Sequence, residues 1–395
     1  MKLAHIADLH LGYRQYPRQT PHGINQREAD VAGAFRRALD AIIEEGPDLI
    51  LVAGDVFHSV RPTNVAILDS FHQFRRLREA LPKTPVVIIA GNHDTPRSVE
   101  TGSILKLFSV LGGVHVVAHA SRRVVFEDLD TAVLCVPNHA WSGVPRPAVA
   151  PDPAVRWNIL MTHREVEGAL PADPSMLGYG GTPIKHADVH AEEFDYVALG
   201  HYHVATAVEP NMWYAGSLEY VTTNPWGESR ERGSASGVGR KGWLSVAFTD
   251  QAEVTFHAID LARRVIDLDP IHGAGLAAAE IDGQIAHRVS GVAGGIEGQI
   301  VRQVVYDVPR ITARDLDHAA VREWKTRALH YRLDLRRPDE PRQIGVGAPG
   351  RRQTLPEILA EFLQQRTLPA EVPRERLLAL AAHYLDAVEE TDGGA

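Results

Sequence analysis

Over the first two hundred residues, short apolar runs alternate with longer amphipathic stretches. The runs Leu3–Ala7, Asp48–Ala53, Pro85–Ala90, Ala132–Val136, Trp157–Thr162 and Tyr196–Leu199 are strand-length and nearly uninterrupted, as expected of strands covered on both faces. Between the first two, Val31, Ala34, Phe35, Ala38, Leu39, Ile42 and Ile43 recur at three- and four-residue spacing, which predicts a helix over Gln26–Glu45. Ile67, Leu68, Phe71, Phe74 and Leu77 predict another over Asn64–Ala80. Strands alternating with helices predict an α/β fold, β-sheets flanked by helices. Ligands of such sheets bind just beyond the carboxyl ends of the strands.

Farther along, Gly227–Gly242 reads as a loop and Gly242–Phe248 as a closing strand. Beyond about residue 261, a helix near 275–288, a strand at 299–308, a helix at 313–327 and a strand at 329–336 predict a small α+β unit. A Pro/Gly-rich stretch then precedes two short amphipathic helices, carried by Leu355, Ile358, Leu359 and Phe362 and by Leu377, Leu378, Leu380, Ala381, Tyr384 and Leu385. The expected organisation is 1–260 as the main domain, 261–340 as the α+β domain, 341–353 as a linker and 354–395 as a helical tail.

The polar signals of the first half fall just after the apolar runs. Asp8-Leu9-His10 follows the first, Gly54-Asp55-Val56-Phe57-His58 the second, and Gly91-Asn92-His93-Asp94 the third. His163 and Gly200-His201-Tyr202-His203 follow two more. A sheet would bring these strand ends side by side and converge carboxylates, imidazoles and an amide on one rim. Oxygen and nitrogen ligands without thiolate suit Mn, Fe or Zn better than Ca or Mg. The glycines before Asp55, Asn92 and His201 are expected to let the chain turn sharply there.

Composition narrows the class. Charged residues at 23 % and hydrophobic ones at 44 % are globular proportions. No apolar run approaches the roughly 18 residues of a membrane span. The lone Cys135 excludes internal disulfides, and with an amino terminus that runs straight into a strand it predicts a cytoplasmic protein. The 20 His agree with metal chemistry, whereas 41 Lys+Arg against 50 Asp+Glu, a net charge of −9, opposes binding to nucleic acid unless cations are concentrated somewhere.

Together, D-x-H, G-D, G-N-H-[DE], H and G-H-x-H resemble the calcineurin-like metallophosphoesterases. The longer stretches Asp8–Tyr13, Gly54–His58, Gly91–Asp94 and Gly216-Ser217-Leu218-Glu219 look like the SbcD-type DNA repair exonucleases within that superfamily. The resemblance implies two divalent metal ions, Mn²⁺ first and Fe, Mg or Zn as alternatives. Asp8, His10, Asp55 and His203 would hold one ion, and Asp55, Asn92, His163 and His201 the other. Such ions sit about 3.5–4 Å apart and activate a water for in-line attack on a phosphate. His93 would act on the leaving oxygen with Asp94 orienting it, and His58 would join this catalytic set from behind the ligands, beside the phosphate path. The implied reaction is hydrolysis of DNA phosphodiesters, as 3′→5′ exonuclease and single-strand endonuclease. The α+β domain would cap the DNA, the terminal helices would bind an SbcC-type coiled-coil ATPase, and the phosphoesterase domain would dimerise.

Positive charge for DNA would have to come from Arg14, Arg61, Arg240, Lys241, Arg314 and Arg322, with Arg18 and Arg302 extending the set. The cationic residues, 6 Lys and 35 Arg, favour bidentate phosphate contact. Two other classes compete: a phosphodiesterase or phosphatase for a small metabolite, and a non-catalytic scaffold for an ATPase. The complete ligand set with His93 weighs against a scaffold, and the added α+β domain against a small substrate.

Overall fold

A computed structural model of the chain describes residues 1–96, 102–169, 183–234, 236–338, 359, 361–364, 373–380 and 384. The predicted linker and most of both terminal helices lie outside the described residues. The chain divides into two compact units. One comprises residues 1–269, 283–304 and 317–334, and the other 270–282, 305–316 and 335–395.

The first unit is a sandwich of two six-stranded sheets. One sheet contains β1 (Lys2–Ile6), β2 (Leu49–Val52), β3 (Val86–Ile89) and β4 (Val114–Val117). The other contains β5 (Arg122–Phe126), β6 (Thr131–Val136), β7 (Trp157–His163), β8 (Tyr196–Gly200), β9 (Thr206–Glu209) and β10 (Met212–Tyr214). After a hairpin of β11 (Arg232–Gly233) and β12 (Gly237–Val238), the strands β13 (Gly242–Phe248) and β14 (Ala252–Ala258) return to the first sheet. The strand orders are β14-β13-β1-β2-β3-β4 and β5-β6-β7-β8-β10-β9. β1 to β4 run parallel, as do β6, β7, β8 and β10.

Period-two alternation explains why the strand sequences are apolar throughout. Leu3, Leu49, Leu51, Val87 and Ile89 share a core with Val133, Ile159, Met161 and Ala198 of the other sheet. Their neighbours Ala4, Ile6, Ile50, Val52 and Ile88 instead meet Val31, Phe35, Leu39, Phe74 and Leu77 of the helices α1 (Gln26–Glu45) and α2 (Asn64–Ala80). On the second sheet, Leu134, Val136, Leu160, Val197 and Leu199 form a third apolar cluster with Trp141 and Tyr214. The predicted α/β class is the observed one.

Several elements differ from the sequence reading. The segment 227–242 is not a plain loop: it holds the hairpin β11–β12 and follows a short α3 (Pro225–Glu228). The strands β4, β5, β9, β10 and β14 were not anticipated, because most are short and polar on one face. Beyond them, β15 (Val265–His272), β16 (Ile300–Tyr306) and β17 (His330–Leu335) form a three-stranded sheet. A proline in β15 obscured it. The helices there are α4 (Ala278–Ser290), α5 (Arg310–Arg314) and α6 (His318–Arg327). One helix over 313–327 becomes two because the Asp317 carboxylate accepts from the amides of Ala319 and Ala320 and starts a new one. No described helix is long and apolar enough to cross a membrane.

Candidate metal centre

The carboxyl ends of β1, β2, β3, β7 and β8 deliver the candidate ligands to one place. The Asp8 amide donates to Gly54 O, and those of His10 and Leu11 to Asp55 O and Val56 O, so the first two loops run side by side. Asp8, His10, Asp55 and His201 all take positive φ, at 52°, 44°, 51° and 102°. Non-glycine residues there are strained, and such strain collects at functional sites.

The glycines act differently from one another. Gly54, at φ +91°, makes the expected turn, but Gly91 and Gly200 do not adopt positive φ. They are needed for space: a Cβ on Gly200 would lie 2.0 Å from Ala53 O, and one on Gly91 2.1 Å from Asp55 Oδ1.

The seven ligand candidates converge. His10 Nε2 lies 3.2 Å from His203 Nε2 and 3.7 Å from Asp55 Oδ2. His163 Nε2 is 3.4 Å from Asp55 Oδ2, 3.9 Å from Asp8 Oδ1 and 3.1 Å from Asn92 Oδ1, which is also 3.1 Å from His201 Nδ1. Asp8, His10 and His203 form one close group and Asp8, Asp55 and His163 another. Their supports fix the ring orientations. His163 Nδ1 donates to Ala53 O at 2.7 Å, and the His201 amide donates to both Asp8 oxygens at 3.0 and 3.1 Å.

This donor set fits divalent cations. Asp8 and Asp55 are buried, and their ion-pair partners among the described residues are histidines. Burial raises the Asp8 carboxyl to about 8. For Asp55 burial pushes upward too, but the His163, His10 and His93 rings outweigh it and hold the group well below the carboxylate range. Burial of His163 is likewise outweighed by Asp55 and Asp8, and its pKa rises to about 9. Burial keeps His10 and His203 far below the usual imidazole value and lowers His201 to about 4. Two buried carboxylates among imidazoles that burial keeps neutral offer a divalent cation oxygen and nitrogen lone pairs, and the protons held by Asp8 and His163 would leave when it bound.

The remaining site residues divide. His93 faces the same cluster, with its ring 4.8 Å from that of His10, and its Nδ1 donates to the main-chain oxygen of His58 at 2.7 Å. The expectation that Asp94 orients it is incorrect. The buried Asp94 carboxylate accepts from the amides of Val56, Phe57 and Gly91, joining the loops after β2 and β3. Burial and then Asp55 raise it to about 6. His58 Nδ1 is 3.3 Å from His10 Nδ1, so one ring supports the other.

Among the cations, Arg14, Arg61, Arg240, Arg314 and Arg322 are exposed. Lys241 is not a surface cation: it is 3 % exposed and paired with Glu228. Arg18 is occupied by the carbonyls of Thr326 and Ala328, and Arg302 by both oxygens of Asp267.

The cluster opens into a cavity of about 580 Å³, walled also by Tyr13, Tyr202, Thr222 and Asn224. The sequence reading assigned none of these four a role, although Tyr13 and Tyr202 lie within the Asp8–Tyr13 and Gly200–His203 stretches; Thr222 and Asn224 sit outside the strand-end motifs. It also missed the Arg27–Glu219 pair (Nη2 to Oε1, 3.1 Å), for which the Gly216–Glu219 motif was the available signal.

Comparison with known proteins agrees with this site. Residues 1–205 match the family described as calcineurin-like phosphoesterase. The chain is 28 % identical over 255 residues to the DNA double-strand break repair protein Mre11 of Methanocaldococcus jannaschii, covering 59 % of this chain and 60 % of that protein. It is 30 % identical over 285 residues to the protein of the same name from Haloferax volcanii, covering 68 % of this chain and 53 % of that one. A third, from Sulfolobus acidocaldarius, is 28 % identical over 204 residues, 51 % of this chain and 50 % of that protein. The chain thus spans about half to three-fifths of the length of these relatives. With the matched segment carrying all seven converging side chains and more than half of the sequence, the chain belongs to the calcineurin-like phosphoesterase family.

Proposed function

We propose that this chain is a metal-dependent DNA nuclease of the SbcD type, acting in repair or processing of DNA double-strand breaks. The observation that carries the proposal is the convergence of Asp8, His10, Asp55, Asn92, His163, His201 and His203, with His10, Asp55, Asn92, His201 and His203 lining one cavity beside His93 and with Asp8 and His163 buried behind them. The names of the relatives support DNA as substrate. Asp8, His10, Asp55 and His203 would hold one ion and Asp55, Asn92, His163 and His201 the second; the mixed oxygen and nitrogen donors suit Mn, Fe or Zn, and the family resemblance favours Mn²⁺. Two such ions supply an activated water and neutralise the phosphate charge.

The chain's own residues supply the rest. The His58 carbonyl holds one proton on His93 Nδ1, so a second proton, taken up from solvent, would sit on Nε2, and that imidazolium would pass it to the leaving oxygen. His10 is steadied by His58, and Asp94 keeps the loops that carry Asp55 and Asn92 together. Exposed Arg14, Arg61, Arg240, Arg314 and Arg322 would take the DNA backbone. The finer reading is 3′→5′ exonuclease and single-strand endonuclease in the cytoplasm, with an SbcC-type ATPase on the terminal helices. A homodimer would use the phosphoesterase domain, where Val65 and Leu68 of α2 are 46 % and 59 % exposed.

The test is cleavage of linear and single-stranded DNA by the purified chain with Mn²⁺, abolished by EDTA. Hydrolysis of small phosphate esters with DNA left intact would overturn the proposal.

A further inference from the structure

Lys241, which the sequence placed among surface cations, lies one residue before β13 and is 3 % exposed. Its ammonium meets three acceptors: the main-chain oxygen of His203 at 2.8 Å, Ser217 Oγ at 3.0 Å and the buried carboxylate of Glu228. An ammonium has three N–H donors, so its capacity is filled. It also lies 5.0 Å from the centre of the Tyr220 ring. The His203 oxygen receives a second donor, the Ser217 amide at 3.1 Å.

A buried ion pair is weak evidence for stability, because desolvation offsets much of the attraction and an apolar pair of similar size can replace it. A lysine can do one thing here that an apolar residue cannot, which is to grip a carbonyl. The gripped carbonyl belongs to His203, whose Nε2 meets His10 Nε2 at 3.2 Å. Hydrogen bonds to groups behind a metal ligand set its orientation, and losing them commonly weakens metal binding 10–100-fold.

We infer that Lys241 is a positioning residue: its ammonium pins the main chain of His203 so that the imidazole presents Nε2 to the metal centre. The inference rests on the reading of His203 as a metal ligand. Glu228 then balances the buried charge, and the Ser217 amide donates to the same carbonyl.

The test is calorimetric titration of Mn²⁺ into the metal-free full chain, with urea unfolding as a parallel measure of stability. K241M/E228L removes both charges together and so leaves no unpaired charge, though the Thr222 hydroxyl loses the acceptor that Glu228 gave it. It is expected to unfold near the wild-type urea concentration yet bind one Mn²⁺ at least 10-fold more weakly. K241Q/E228Q keeps an amide donor for the His203 carbonyl and is expected to recover most of that affinity. Wild-type affinity in K241M/E228L, or equal weakening in both double variants, would overturn the inference. A wild-type chain that binds no Mn²⁺ would overturn the metal-dependent reading itself, which separates that failure from failure of the Lys241 assignment.

Discussion

His93 touches the site without sharing an ion-ligand position, so its loss is expected to separate binding from chemistry. His93→Ala should keep Mn²⁺ affinity measured by calorimetry while slowing DNA cleavage by ~10²-fold or more. Gly200 has the opposite character. Gly200→Ala would drive a methyl into Ala53 O, the carbonyl that orients His163, and into the His163 ring. Loss of Mn²⁺ binding and a lower urea midpoint are the expected results. His5 offers a pH test away from the cluster. Burial holds its imidazole neutral, with a pKa of about 3, beside Tyr196 Oη at 2.9 Å. The unfolded chain takes up that proton near pH 6.5, so the folded state loses stability as pH falls from about 6.5 towards 3, by up to about 1.4 kcal/mol per pH unit. His5→Phe should flatten the pH dependence of the urea midpoint over that range relative to wild type.

At the scale of elements, α1 shows how local chemistry and packing combine. Asn25 Oδ1 accepts from the amides of Arg27 and Glu28, and Gly46 closes the helix at φ 62°. Asn25→Ala should therefore cost about 1 kcal/mol, read by urea unfolding, with DNA cleavage unchanged in the surviving folded protein. Helices and parallel strands of this kind were legible from periodicity, since each buries a face or run defined by its own residues. β9, β10 and the hairpin β11–β12 were not, because strands of two to four residues carry too little pattern and exist through their neighbours. The same limit hid Asp94's role. Its side chain bonds to amides 37 and 38 residues earlier, and no local spacing announces that.

For the whole molecule, the net charge of −9 and the exposed arginines make opposite demands on a nucleic acid. DNA affinity should fall about 10²-fold or more between 50 and 200 mM salt, as expected when about five cations release counterions, and filter binding across a salt series measures it. Mn²⁺ at about 100 times its Kd should stabilise the metal-free chain by roughly 2.7 kcal/mol for each ion bound, seen as a raised urea midpoint. The sequence by itself determined which residues stand at the strand ends, because a strand's burial pattern and the motif that follows it are contiguous in the chain. Tertiary structure decided what those residues do to one another. The His201 amide meets Asp8 across 193 residues, Lys241 turns inward to His203, and Gly91 and Gly200 make room rather than turns. Such contacts depend on which strands become neighbours, and neighbourhood is set by the packing of the two sheets as a whole.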